Sequence, residues 1–86
     1  LENQNMPIDV TKKYVRVRIR SPKKCDRLII RKKTFSKREG IDAVVCCPKG
    51  KAEHGRCSVG MITQSVLYRR PKWTRGEAVK HAKHFR

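Results

Sequence analysis

Residues 14–20 read YVRVRIR, and their strict alternation constrains the fold more than any other feature of the chain. A helix would scatter Val15, Val17 and Ile19 around its circumference. An extended strand places all three on one face and leaves Tyr14, Arg16, Arg18 and Arg20 on the other. The chain therefore builds a sheet with a buried side, and the open question is what the arginine row is for.

The remaining segments add partners for that strand. The strand spans residues 13–20, and Ser21-Pro22-Lys23-Lys24 follows as a turn, because proline fixes φ and lacks a donor. Residues 27–35 (RLIIRKKTF) are rich in β-formers without clean alternation, so a bulge is expected. Ser36 to Glu39 has capping-box spacing but no apolar periodicity behind it, which predicts one helical turn or a tight loop. Residues 41–47 (IDAVVCC) show mixed faces, as a central strand covered on both sides would. Residues 48–56 form a long exposed connection, and residues 58–68 a fourth strand with Gly60 as a bulge. At the end, Thr74-Arg75-Gly76-Glu77 is a capping box. Trp73 and Ala78 form the hydrophobic staple, and Ala78, Val79, Ala82 and Phe85 recur at helical spacing. The expected class is α+β: a small antiparallel or mixed sheet of about four strands with one C-terminal helix packed on one face. Residues 1–11 read as a flexible leader, with LENQN as non-native residues ahead of Met6-Pro7, and residues 12–86 as one small basic domain.

Charge narrows the partner. Twenty-three Lys and Arg face seven Asp and Glu, for a net charge of +16. Thirteen of these cations lie between Lys12 and Arg38, with Asp26 the lone acid among them. Such self-repulsion favours binding to a polyanion, and nucleic acid (DNA or RNA) is the expected partner. Membrane is not expected: no apolar run approaches the length of a span, and the basic half is stranded rather than an amphipathic helix. The sequence shows no secretion signal, so a cytoplasmic setting is the default.

Phosphate neutralisation needs no sequence code, only cations at suitable spacing. Arg16, Arg18 and Arg20 recur at about 6.6–6.8 Å along one strand face, near the spacing of successive phosphates. Lys12, Lys13 and some of Arg27, Arg31, Lys32 and Lys33 would widen the row from a neighbouring strand, and Tyr14 shares its parity as a base-stacking ring or as a ring lying over arginine stems. Lys49, Lys51 and Arg56 decorate the long connection, and Arg69 and Arg70 precede the helix as a further cluster.

The four cysteines, at 25, 46, 47 and 57, lack paired C-x2-C spacing. Cys46 and Cys47 point to opposite faces of a strand and cannot easily share one tetrahedral ion. Two readings stand: small buried hydrophobes in a central strand, or a zinc site from Cys25, Cys47, His54 and Cys57. No other cofactor is expected. Nor is catalysis, because no nucleophile motif or phosphate loop occurs and Asp26, Glu39 and Asp42 do not converge.

The series YVRVRIRSP, TFSKREGIDAVVCCPKGK and ITQSVLYRRPKWTRGEAVKHAKH resembles a small domain encoded by tailed phages and prophages, over about residues 14–84. That pattern accompanies head-maturation or prohead-protease modules in some phage proteins. The resemblance implies a viral or mobile-element context (host cytoplasm or virion), a β-rich domain with a final helix, and no catalytic residue. It also raises a second function class, a structural or interaction module docking on a viral or acidic protein. Cys46 and Cys47 replace a glycine and a polar residue of the pattern, and Gly76 an acidic one, which speaks against a family-wide metal site.

Overall fold

The computed structural model describes residues 7–85. Its elements are β1 (Ile8–Val10), β2 (Tyr14–Arg18), a 3-10 turn (Pro22–Lys24), β3 (Cys25–Ser36), β4 (Ile41–Pro48), β5 (Ala52–Glu53), β6 (Arg56–Cys57), β7 (Ile62–Arg69), α1 (Arg75–Ala82) and a closing 3-10 turn (Lys83–Phe85). Five strands form one antiparallel sheet in the order β1-β2-β7-β4-β3, while β5 and β6 make a small separate hairpin. The class is α+β.

The alternation in β2 works as its pattern dictates. Val15 and Val17 are fully buried, opposite Tyr68 and Val66 of β7, and those two in turn face Ile41 and Ala43 of β4. Cross-strand partners share a face, so this one line of pairs defines the covered side of the sheet. Helix α1 covers it with Ala78 and Ala82, and Ile8, Trp73, Val79 and Phe85 close the margins. The capping box forms: Thr74 Oγ1 accepts from the Glu77 amide, while the Glu77 carboxylate accepts from the Thr74 amide. Trp73 stacks against Tyr68 at 4.8 Å and donates its indole N–H to the Glu39 carbonyl. The turn between β3 and β4 closes at Gly40, buried at φ +74°, a left-handed conformation in which a Cβ would be strained.

Several local features differ from the sequence reading. The segment assigned to a flexible leader contains β1, which pairs Ile8 with Val17 and Val10 with Val15; three residues are too few for periodicity to announce them. The reading of LENQN lies outside the described residues. The fourth strand begins at Ile62 rather than residue 58, and its irregularity sits at Gln64 rather than Gly60. There Val44 pairs with Ser65 but Val45 with Thr63, and the Gln64 carbonyl accepts from the amides of both Ile19 and Arg20. The connection after β4 folds back on itself as the β5–β6 hairpin.

The cysteines form two disulfides, Cys25–Cys46 and Cys47–Cys57. Free buried thiols are therefore not what β4 carries. The sulfurs proposed for zinc, Cys25, Cys47 and Cys57, are bonded to sulfur, and among the described residues no three metal-ligating side chains including His54 converge. The cause is local. Residues 46 and 47 face opposite sides of β4, and each finds a cysteine brought alongside on its own side, with Cα separations of 5.6 and 5.5 Å.

Candidate nucleic-acid interface

Opposite the helix, the sheet presents Tyr14, Arg16 and Arg18 of β2, Ser65, Leu67 and Arg69 of β7, Asp42, Val44 and Cys46 of β4, and Ile30, Lys32 and Thr34 of β3. This face splits into two regions with different chemistry.

Around Asp42 the polar groups satisfy one another. Asp42 is 1% exposed, yet its carboxylate accepts from Arg69 Nε at 3.1 Å, Arg69 Nη2 at 2.8 Å and the Tyr14 hydroxyl at 3.2 Å. The Arg69 guanidinium holds the Asp42 carboxyl below the ordinary aspartate value of 3.8, against the desolvation that would raise it. Lys32 donates to the Tyr14 hydroxyl at 2.6 Å, with its ammonium 4.7 Å from the ring centroid. Tyr14 is thus pinned between a cation and an anion rather than presented as a free stacking platform, and Arg69 is engaged by Asp42.

The other region is concave and unsatisfied. A cavity of about 700 Å³ opens over the sheet, and Arg16, Arg18, Lys23, Arg27 and Lys49 line it. Its apolar wall is Pro22, Ile30, Val44 and the Cys25–Cys46 disulfide. Three local devices build it. The register jump between Cys25 and Ile30 arches residues 26–29 out of the sheet plane and brings Arg27 to the rim. Ser21 caps the 3-10 turn that carries Lys23, and the Lys24 carbonyl accepts from the Lys49 amide at 2.8 Å. The disulfide fastens the start of β3 to β4.

Within the cavity, donors outnumber acceptors. Arg16 Nε donates to Ser65 Oγ and Arg16 Nη2 to Gln64 Oε1, each at 3.2 Å, so Arg16 is held in place with part of its fork in use. Gln64 Oε1 also accepts from Ser65 Oγ at 2.7 Å. Arg18 Nε is buried and has no hydrogen-bond partner among the described residues. A buried cationic donor without an acceptor is costly. Asp26 is the sole carboxylate of the lining, and its Oδ1 accepts from the Leu28 amide at 2.9 Å.

The other residues singled out from the sequence are dispersed. Arg31 and Lys33 pair with Val45 and Ala43, which puts them on the helix side of β3, away from Arg16 and Arg18; the period of two decides this, and of the three successive cations only Lys32 shares the arginine face. Arg20 donates to the Thr63 carbonyl and Arg70 to the Thr11 carbonyl, both in backbone-bracing roles. Lys12 and Lys13 are exposed in the β1–β2 turn, and Lys51 and Arg56 belong to the β5–β6 hairpin outside the cavity lining. Lys23 and Gln64 escape sequence reading because nothing in a Ser-Pro-Lys-Lys turn, or in one polar residue of a strand, marks them as neighbours. Asp9 sits opposite Arg16 in register and supplies the nearest acid of β1.

Among the described residues no helix is long and apolar enough to cross a membrane. Comparisons with protein-family models, curated proteins and solved structures return no match to this chain.

Proposed function

We propose that this chain is a non-enzymatic nucleic-acid-binding module that holds its ligand mainly through phosphate contacts on the sheet face opposite the helix. The observation that supports this most directly is the convergence of five cations on one concavity, with Arg18 Nε buried there and unpartnered. A net charge of +16 supplies the long-range attraction and the steering that such a site needs. The setting that accompanies this reading is the phage or mobile-element one implied by the resemblance. Within it, two disulfides favour an oxidised location such as a virion over a reducing cytoplasm.

Counterion release makes the reading quantitative. Five phosphate contacts give log K against log salt a slope of about −3.5 on single strands and about −4.5 on duplex DNA. Fluorescence anisotropy with labelled oligonucleotides across 50–300 mM salt, on the order of the range where such slopes are steep, measures it. The double variant K23Q/R27Q removes two exposed rim cations and should flatten the single-strand slope by about 1.4. A salt dependence near zero, or a slope untouched by that variant, overturns the proposal.

A second reading, an interaction module for an acidic or viral protein, draws on the exposed apolar side chains of the edge strand β3, where Leu28 is 86% and Phe35 59% exposed. It is the reading left standing if oligonucleotides fail to bind.

A further inference from the structure

The cavity is larger and more apolar than phosphate binding requires. A phosphate row asks only for exposed cations at suitable spacing, and the rim cations Lys23, Arg27 and Lys49 meet that need by themselves. Yet behind them lie Pro22, Ile30, Val44 and a disulfide, an apolar wall that an inorganic phosphate chain would leave in contact with water. The volume of about 700 Å³ falls within the about 300–1,000 Å³ typical of small-molecule sites, ample for one nucleotide unit. Its polar groups are also graded. Exposed cations crowd the rim, whereas Gln64 is 6% exposed and its Oε1 is taken up by Arg16 and Ser65.

We infer that the cavity receives a single unstacked nucleotide, its base against the apolar wall and its flanking phosphates on the rim cations, so that the module selects single-stranded over duplex nucleic acid. The inference rests on the nucleic-acid reading above and deepens it. In a duplex the base faces are stacked on their neighbours and are withheld from the apolar wall. A splayed nucleotide offers a flat apolar face, which aliphatic walls and guanidinium planes both accommodate, together with edge carbonyls or ring nitrogens for the Arg and Gln64 side chains of the lining. The position of Gln64 is set, not free: Arg16 and Ser65 both donate to its Oε1. Asp26 adds one acceptor suited to an exocyclic amine.

The test compares a labelled single-stranded octanucleotide, the same octamer made entirely of abasic units and so of equal charge, the annealed duplex, which carries twice that charge and is compared per strand, and inorganic polyphosphate as competitor. The expected result is that the base-bearing single strand binds on the order of tenfold more tightly than the abasic octamer at the same salt. Duplex and polyphosphate should group with the abasic strand. Ile30 is 47% exposed, so I30S shortens the apolar wall at little risk to folding; it should narrow the tenfold gap while leaving the salt slope unchanged. If all four ligands bind alike with a steep salt slope, the phosphate reading stands and the single-nucleotide inference falls. Should none of them bind, both fall together. A full gap persisting in I30S also overturns the inference, because the wall is then not what the base meets.

Discussion

The two disulfides carry a stability prediction that the chain's geometry makes numerical. Cys25 and Cys46 are 21 residues apart and Cys47 and Cys57 are 10 apart. The loops they close are adjacent rather than nested, so their effects on the unfolded chain add. Loop-closure entropy assigns about 3.3 kcal/mol to the first and about 2.7 kcal/mol to the second, about 6 kcal/mol together. An 86-residue domain has in all about 4–13 kcal/mol of stability, so the crosslinks are comparable to the whole margin. Replacing either pair by alanine should lower the urea midpoint by about 3 M, given the slope of about 1 kcal/mol per molar typical of small domains. The quadruple variant, or the wild-type chain in reductant, should lie close to unfolded at room temperature. Equilibrium urea unfolding followed by Trp73 fluorescence reads this out. Alkylation of the denatured, unreduced protein checks the premise. Four alkylated cysteines would refute the pairing, and a loss below about 1 kcal/mol on removing both crosslinks would refute the entropy reasoning.

Three further outcomes follow from the same structure. D42N replaces the charged acceptor of the Arg69 fork and should cost about 1.5–2 kcal/mol, the low end for charge-assisted bonds, because the Arg69 side chain is 40% exposed and regains water. The Asp42 carboxyl is held below its unfolded value, so its contribution is present above that value and is lost as pH falls through the lowered native one; acid titration of urea midpoints should therefore decline less steeply in D42N than in wild type, and parallel curves would refute the pair's role. T74A removes the cap of α1 and should cost about 1 kcal/mol in thermal or urea unfolding. L28K changes a side chain 86% exposed and should shift stability by no more than about 0.5 kcal/mol, a control for the others.

What the sequence disclosed, and what it hid, divides along physical lines. Local patterns were readable because short-range sterics and solvent dictate them: the buried Val15 and Val17, the Thr74–Glu77 cap and the interior, rather than edge, position of β4 all follow from residues within a few positions of each other. Long-range matches were not. The Asp42–Arg69 pair spans 27 positions, and no residue near either one announces the other. The cavity has the same character, since Lys23 and Lys49 meet only because a register jump in β3 and a crosslink bend the chain back over β4. Cationic composition pointed to a basic face, but the parity of β3 decided that Lys32, and not Arg31 or Lys33, shares it with Arg16. Cysteine spacing likewise could not choose among the possible pairings, because pairing is a statement about which segments lie side by side.

The neighbouring half-cystines of β4 act as a parity check on the whole sheet. Moving β4 by one residue against β3 and β7 would turn Cys46 toward the helix side and Cys47 toward the cavity, exchanging their partners and inverting Ile41 and Asp42 at the same time. Of the three ways to join four cysteines in two pairs, the 25–47/46–57 isomer thus belongs to an inside-out sheet, with an aspartate under the helix and an isoleucine in water. Covalent chemistry and side-chain polarity veto the same error independently, so the oxidised chain records in its sulfur connectivity which side of β4 faces the helix.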